Sequence, residues 1–307
     1  MEIILDIHGG DNSPEELAKG VISALERHSD LKVTVAGDEI FLNTVFHEYV
    51  ERGRVNVLTA SGIITNDTNP MDAVRDADCT MHKAFSYYEK SDAVGLLTVG
   101  STAAALISSI YILGLSSGMK KPVLCSLLPK KDGGRVALLD CGANLNVTGD
   151  DLALFAHIGS AYMQATGRAK NPSVCLMNVG KEENKGTDTV RNADKLLRAS
   201  ELNYVGFAEP CDLFSCDVCV CDGFTGNVLL KNTEETAMSI IRDMRVFAKD
   251  APENKKMLEF IDRQYARFAY NDLGCAVILG TKKPVYKAHG AANALTLQNA
   301  IEQILGG

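Results

Sequence analysis

The sequence predicts an α/β protein, a largely parallel sheet with helices on both faces, three layers in all. Short uncharged runs alternate with helix-length segments almost from end to end, the pattern of parallel strands joined by crossover helices. Most strand runs are apolar throughout rather than alternating, as strands covered on both faces are. The chain has 307 residues, 46% of them hydrophobic, which is enough for a large core. No linker-like stretch or internal repeat interrupts it, so residues 1–307 are read as a single domain, one large body or two intimately joined lobes.

Taken in order, a strand over 2–7 leads to Ser13, Pro14 and Glu16, which suit the N-cap, N1 and N3 positions of a helix over 15–27. A strand over 32–36 closes at Gly37-Asp38. A helix over 40–51, a strand over 55–59 and a helix from Asn69-Pro70 through residue 90 follow. The stretch 93–119 carries no charge, but Thr98, Gly100, Ser101, Thr102, Ser108, Ser109 and Gly114 interrupt it. It divides into a buried strand (93–99), a polar turn and a buried helix (103–113) rather than a membrane span. Strands over 122–128 and 135–140 come next, then a helix over 150–166, a strand over 173–178, a helix over 188–199 and a strand over 203–207. A strand over 216–221 opens into a glycine-rich turn. Two charged helices, about 233–248 and 253–268, and a final amphipathic helix over 294–305 complete the chain.

The net charge of −8 argues against a general nucleic-acid binder, which needs clustered cations. Nine cysteines without regular spacing, and no signal peptide, point to a reducing cytoplasm with Cys serving as a small hydrophobe. Cys211, Cys216, Cys219 and Cys221 lack a second ligand pair at zinc spacing, so no metal and no cofactor is expected.

The chemistry gathers where strands end. The joint Cys221-Asp222-Gly223-Phe224-Thr225-Gly226-Asn227 runs from a strand into a helix. Its glycines permit close approaches, and its N–H groups and helix dipole suit an anion. Further polar, glycine-rich joints are Gly9-Gly10-Asp11, Gly100-Ser101-Thr102, Gly142-Ala143-Asn144 and 180–186. In parallel sheets ligands sit at the carboxyl ends of strands, so these joints are expected to line one anion-binding crevice. Gly9-Gly10-Asp11 does not complete a dinucleotide-binding spacing, which disfavours a dehydrogenase.

In their order these joints resemble the phosphate acyltransferases of phospholipid synthesis, the PlsX family. The matching pieces are Asp6 with Gly9-Gly10-Asp11 and Pro14, Gly37-Asp38, 140–144, Asn178-Val179-Gly180 with Glu182-Glu183 and Lys185-Gly186, 221–231, and Lys287-Ala288-His289-Gly290. Departures fall at Gly100-Ser101-Thr102, at 75–80, where Asp76 and Asp78 replace a basic turn, and at 272–277. The resemblance implies a fold of the isocitrate-dehydrogenase and phosphotransacetylase type and a homodimer. It implies transfer of an acyl group from acyl carrier protein to inorganic phosphate, at the inner surface of the cell membrane without embedding in it.

For that reaction Lys185 would supply positive charge to phosphate or the oxyanion, Asn144 a donor to the carbonyl, and His289 a donor to phosphate or the leaving sulfur. Gly10, Asp11, Ser101, Thr102, Asp222, Gly223, Thr225, Gly226 and Asn227 would bind phosphate or substrate, with Asp11 and Asp222 capping helices or orienting a lysine. His8 is read as incidental. An acidic carrier protein needs a local basic surface, for which Lys120, Lys121, Lys130, Lys131 and Arg135, or Lys282, Lys283 and Lys287, are candidates. The helices at 233–268 are read as a projecting pair with apolar faces, Met238, Ile241, Met244 and Phe247 on one and Met257, Phe260, Ile261, Tyr265 and Phe268 on the other, suited to dimerisation more than to membrane contact. A transferase using acyl-CoA and a non-catalytic homologue that keeps the fold are the alternative functions.

Overall fold

The computed structural model of the chain describes residues 1–249, 255–268 and 274–306. By contact density the chain forms two compact units, residues 1–122 with 271–307, and residues 123–270.

The first unit opens with β1 (Glu2–Asp6), α1 (Pro14–Arg27) and β2 (Lys32–Gly37). Ser13 caps α1 by accepting from the N–H of Glu16, with Pro14 at the first helical position, as the sequence predicts. The predicted helix over 40–51 is instead two, α2 (Glu39–Val45) and α3 (His47–Glu51), and β3 (Val55–Thr59) follows. The predicted helix over 69–90 is also divided, into α4 (Asp72–Arg75) and α5 (Thr80–Lys90). The physical reason lies in the break. The carbonyl of Asp78 accepts from Ser61 and Gly62, and the Cys79 sulfur caps α5, so local capping and a tertiary contact replace helical bonds. β4 (Gly95–Thr98) then leads to α6 (Thr102–Ser108) and a π-helical turn, Ser109–Leu113, so the uncharged stretch does not form one long helix.

The second unit contains β5 (Val123–Pro129), β6 (Arg135–Leu139), α7 (Gly149–Ala165), β7 (Val174–Met177), α8 (Asp188–Arg198), β8 (Tyr204–Ala208), a 3-10 turn at Pro210–Ser215, and β9 (Val218–Val220). The helix predicted to start near 233 begins ten residues earlier. A single helix, α9 (Gly223–Lys249), runs from the glycine-rich joint itself, and α10 (Lys255–Phe268) pairs with it. The chain then returns to the first unit with β10 (Cys275–Leu279), β11 (Val285–Ala288) and α11 (Ala294–Leu305). The alternation read from sequence does not reach β10 and β11, which form an antiparallel hairpin. The altered residues Asp272 and Leu273 lie outside the described residues.

In the first unit the strand order is β3-β2-β1-β4-β11-β10, parallel except for the last pair. In the second it is β5-β6-β9-β7-β8, parallel except for the first. Successive residues of β1, Ile3, Ile4 and Leu5, are all fully buried, as are Val218, Cys219 and Val220 of β9. Since neighbouring side chains in a strand point to opposite faces, both faces of these strands are covered, which is the three-layer arrangement.

In the helical pair Ile241, Ala248 and Ile261 form a small core, with Met238, Met244, Leu258, Tyr265 and Phe268 packed against it. Arg245 pairs with Asp262 at 2.6 Å and lies over the Tyr265 ring. Thus much of the two predicted apolar faces is satisfied helix on helix, while Phe247 (71%) and Phe260 (43%) stay exposed. Among the described residues no helix is long and apolar enough to cross a membrane.

Candidate active site

Three strand-end joints of the second unit meet. β6, β9 and β7 are neighbours in the sheet and parallel, so their carboxyl ends open on the same edge. Asp140, just past β6, is fully buried and organises the first joint. Its Oδ1 accepts from the N–H groups of Leu124 (3.1 Å), Gly142 (3.2 Å) and Ala143 (3.0 Å). Its Oδ2 accepts from the backbone N–H of Asn144 (2.6 Å) and from the Asn144 side-chain Nδ2 (2.8 Å). Burial pushes the Asp140 carboxyl up, and these donors pull the other way. Asn144 is therefore a side chain held in place rather than one free to swing.

The second joint locks onto the first. The Gly223 N–H donates to the Asn144 carbonyl at 2.8 Å. A Cβ on Gly223 would stand 2.7 Å from that oxygen, and one on Gly226 only 1.9 Å from the Asp140 carbonyl oxygen. Both positions exclude any side chain, so the glycines are demanded by close backbone approach. Asp222 caps α9: its Oδ1 accepts from the Thr225 N–H at 2.9 Å and its Oδ2 from the Thr225 hydroxyl at 2.7 Å. Asn227, one turn into α9, lies beside Gly142.

This arrangement corrects one expectation. The sequence reading offers the N–H groups of this turn to an anion, but those of Gly223, Thr225 and Gly226 are bonded inside the joint, to Asn144, to the Asp222 carboxylate and to the Asp222 carbonyl. Capping and joint-to-joint pairing satisfy the orphan donors first.

The third joint, 178–186, follows β7. The Lys185 side chain is exposed, and its backbone N–H donates to the Glu182 carbonyl. Gly186, at φ +86°, lies against the Asn178 amide, where a Cβ would come within 2.3 Å of Oδ1. Asn178, Gly186, Asp222 and Thr225 all line one cavity of 260 Å³. Sequence reasoning did not single out Asp140 or Asn178 as site residues. The available signal was a polar residue ending an apolar strand.

In the first unit a second group of joints converges. The Asp11 N–H donates to the Gly290 carbonyl at 2.8 Å, and Asn12 Nδ2 donates to the carbonyls of Ala291 and Ala292. Gly9 abuts Gly100, and Ser101 next to it is buried, with Thr102 opening α6. Gly10 packs against Gly290. His289 is exposed, and its Nδ1 accepts from the Ala291 N–H at 3.1 Å, so in the neutral ring the proton sits on Nε2.

Lys287 is not a surface cation, contrary to expectation. It is 7% exposed, and its Nζ donates to the carbonyls of Val99 and Ala288. Desolvation pulls its pKa down to about 8. Lys283 donates to the carbonyls of Tyr88 and Ser91, so of that trio only Lys282 is an exposed lysine. In the other candidate surface Lys130 is bound to Asp217 at 2.7 Å. Asp6 is buried, accepts from the Thr98 hydroxyl at 2.9 Å, and is pushed up by desolvation. Cys175, Cys216 and Cys219 bring three buried sulfurs within 4.8 Å of one another, a grouping that strand pairing creates and sequence spacing does not show.

Comparison with known proteins gives one consistent picture. The family model described as "Fatty acid synthesis protein" matches residues 1–306. The chain is 34% identical over 317 residues to a phosphate acyltransferase of Halothermothrix orenii, covering 98% of this chain and 93% of that one. It is 34% identical over 311 residues to a phosphate acyltransferase of Bacillus pumilus, covering 99% and 92%. Among solved structures it is similar in fold to a phosphotransacetylase from Streptococcus pyogenes, at TM-score 0.63 and 13% identity, covering 100% of this chain and 95% of that one. The EutD phosphotransacetylase from Staphylococcus aureus gives TM-score 0.61 at 14% identity, covering 100% and 93%.

Proposed function

The chain belongs to the fatty acid synthesis protein family of phosphate acyltransferases, and on that premise we propose that it transfers an acyl group from acyl carrier protein to inorganic phosphate, supplying acyl phosphate to phospholipid synthesis. The observation that carries this reading is the 34% identity along 98% of the chain, which spans every strand-end joint described above. Because the family match runs through residues 1–306, we read the chain as one functional domain.

A phosphate oxygen attacks the thioester carbonyl carbon. A C–O bond forms, the carbonyl becomes a tetrahedral oxyanion, and its collapse breaks the C–S bond and releases the carrier thiolate, which takes up a proton. Phosphate is already an anion, so the protein's work is to desolvate it, aim it and stabilise the oxyanion. We assign Lys185, exposed on its loop, to the charge of phosphate or the oxyanion, and Asn144, fixed by Asp140, to the carbonyl. Asn227 presents its side chain to substrate, Gly223 and Gly226 hold the joint tight, and Asp222, which accepts from both the N–H and the hydroxyl of Thr225, keeps the helix start in register. His289, with its proton on Nε2, is assigned to phosphate or the leaving sulfur, and Gly10, Asp11, Ser101 and Thr102 are assigned to substrate binding within the first unit. No step calls for a metal or cofactor.

A homodimer is proposed on the exposed Phe247 and Phe260 of the helical pair, and contact with the inner membrane surface on the family's chemistry. The direct test is phosphate-dependent thiol release from acyl carrier protein and from acyl-CoA. Release from the carrier protein supports the reading, preference for CoA shifts the donor, and no release from either leaves a binding protein with this fold.

A further inference from the structure

The cavity of the second unit has a composition that phosphate alone does not explain. Its 260 Å³ is bounded mainly by Leu152, Met177, Val190, Pro210 and Val220. Into this apolar wall is set Asn178, 7% exposed, whose Nδ2 has no hydrogen-bond partner among the described residues. A buried amide without a partner costs about 1–3 kcal/mol, so the position calls for an acceptor that arrives with a ligand. Gly186 lies against the same amide, nearest its Oδ1, where a Cβ would not fit. The cavity is also lined by Asp222 and Thr225, which ties it to the joint assigned to substrate.

We propose that this cavity seats the acyl chain of the thioester, with Asn178 donating to the thioester carbonyl oxygen. The inference rests on the acyl-transfer reading above. An apolar wall with one unpaired donor is complementary to a carbonyl followed by a hydrocarbon chain, and an inorganic anion would leave that wall bare. Size fits as well. A cavity of about 150 Å³ holds benzene, so 260 Å³ admits roughly ten carbons by proportion. Asn178 is thereby placed to donate a hydrogen bond to the charge that develops on that oxygen in the tetrahedral intermediate. Chain length is then set by the depth of the wall under α8, where Val190 lies.

The test is binding of inert amide analogues of decanoyl- and butyryl-pantetheine by calorimetry, alongside turnover of the matching thioesters. Each buried methylene contributes about fourfold, so the wild-type protein binds the decanoyl analogue at least about 100-fold more tightly. Val190→Phe lowers decanoyl affinity at least tenfold more than butyryl affinity; Val190→Leu gives the same trend if the larger residue impairs folding. Asn178→Leu weakens both analogues about equally while the unfolding midpoint holds or rises, because it removes an unpaired amide. Equal wild-type affinity for the two analogues, or a Val190 series without effect on the decanoyl analogue, overturns the proposal. Turnover separates it from the reaction itself. Chain-selective binding without acyl phosphate keeps the pocket and sinks the reaction, and acyl phosphate formed without chain selectivity does the reverse.

Discussion

Gly226 and Asp140 touch so closely that a Cβ on the glycine would stand 1.9 Å from the aspartate's carbonyl oxygen. The contact joins the first turn of α9 to the end of β6 and fixes where Asn144 and Asn227 lie. Gly226→Ala forces two backbones apart, so it is expected to lower stability by about 2 kcal/mol or more and to reduce turnover as the joint opens. Denaturant unfolding with parallel assays checks this; a fully stable, fully active variant refutes the packing argument.

Lys185 is exposed, so its removal has little to unpack. Lys185→Ala is expected to leave the melting temperature within a degree or two and to cut acyl-phosphate formation about 100-fold or more, the scale of losing one electrostatic stabiliser. Unchanged turnover removes Lys185 from the site.

Lys287 makes stability depend on alkaline pH. Its folded pKa is about 8, lowered from the ordinary lysine value of 10.5, so between those values the unfolded chain binds more protons than the folded one. Stability then rises as pH rises through that window, and below about pH 8 the full cost of burying the ammonium is present. Lys287→Met removes this contribution, so the wild-type protein gains on the variant by about 3 kcal/mol from pH 8 to above pH 10. A pH-independent difference between the two unfolding free energies contradicts the assignment.

Asp222→Ala removes the cap of α9 and leaves the Thr225 N–H without its partner, at a cost of about 1 kcal/mol. Thermal unfolding reads the loss, and Asp222→Asn, which keeps an acceptor oxygen, recovers most of it.

The exposed Phe247 and Phe260 give the dimer proposal a handle. Phe247→Glu with Phe260→Glu is expected to yield monomers with unchanged helix content in sedimentation and circular dichroism. A dimer that survives both substitutions places the interface elsewhere.

Legibility followed the range of the interactions. The α1 start at Ser13-Pro14 and the span of α11 were readable because a cap and a 3.6-residue stripe are local. The break at residues 76–79 was not, since it depends on Ser61 and Gly62, 17 and 16 residues earlier, bonding to Asp78. Asp222 as a cap was anticipated, but the consumption of the Gly223 N–H by Asn144 needed a partner 79 residues earlier.

By itself the sequence determined the α/β class, the order of the polar joints and the family, because apolar periodicity and short motifs are written along the chain. Only the tertiary structure decided which joints meet: Asp140 gathering its five donors, Asn178 left with an unpaired amide in an apolar wall, and Lys287 drawn inside. The reason is physical. A glycine-rich turn states what it permits, whereas burial and hydrogen-bond partners are set by strands that become neighbours only on folding.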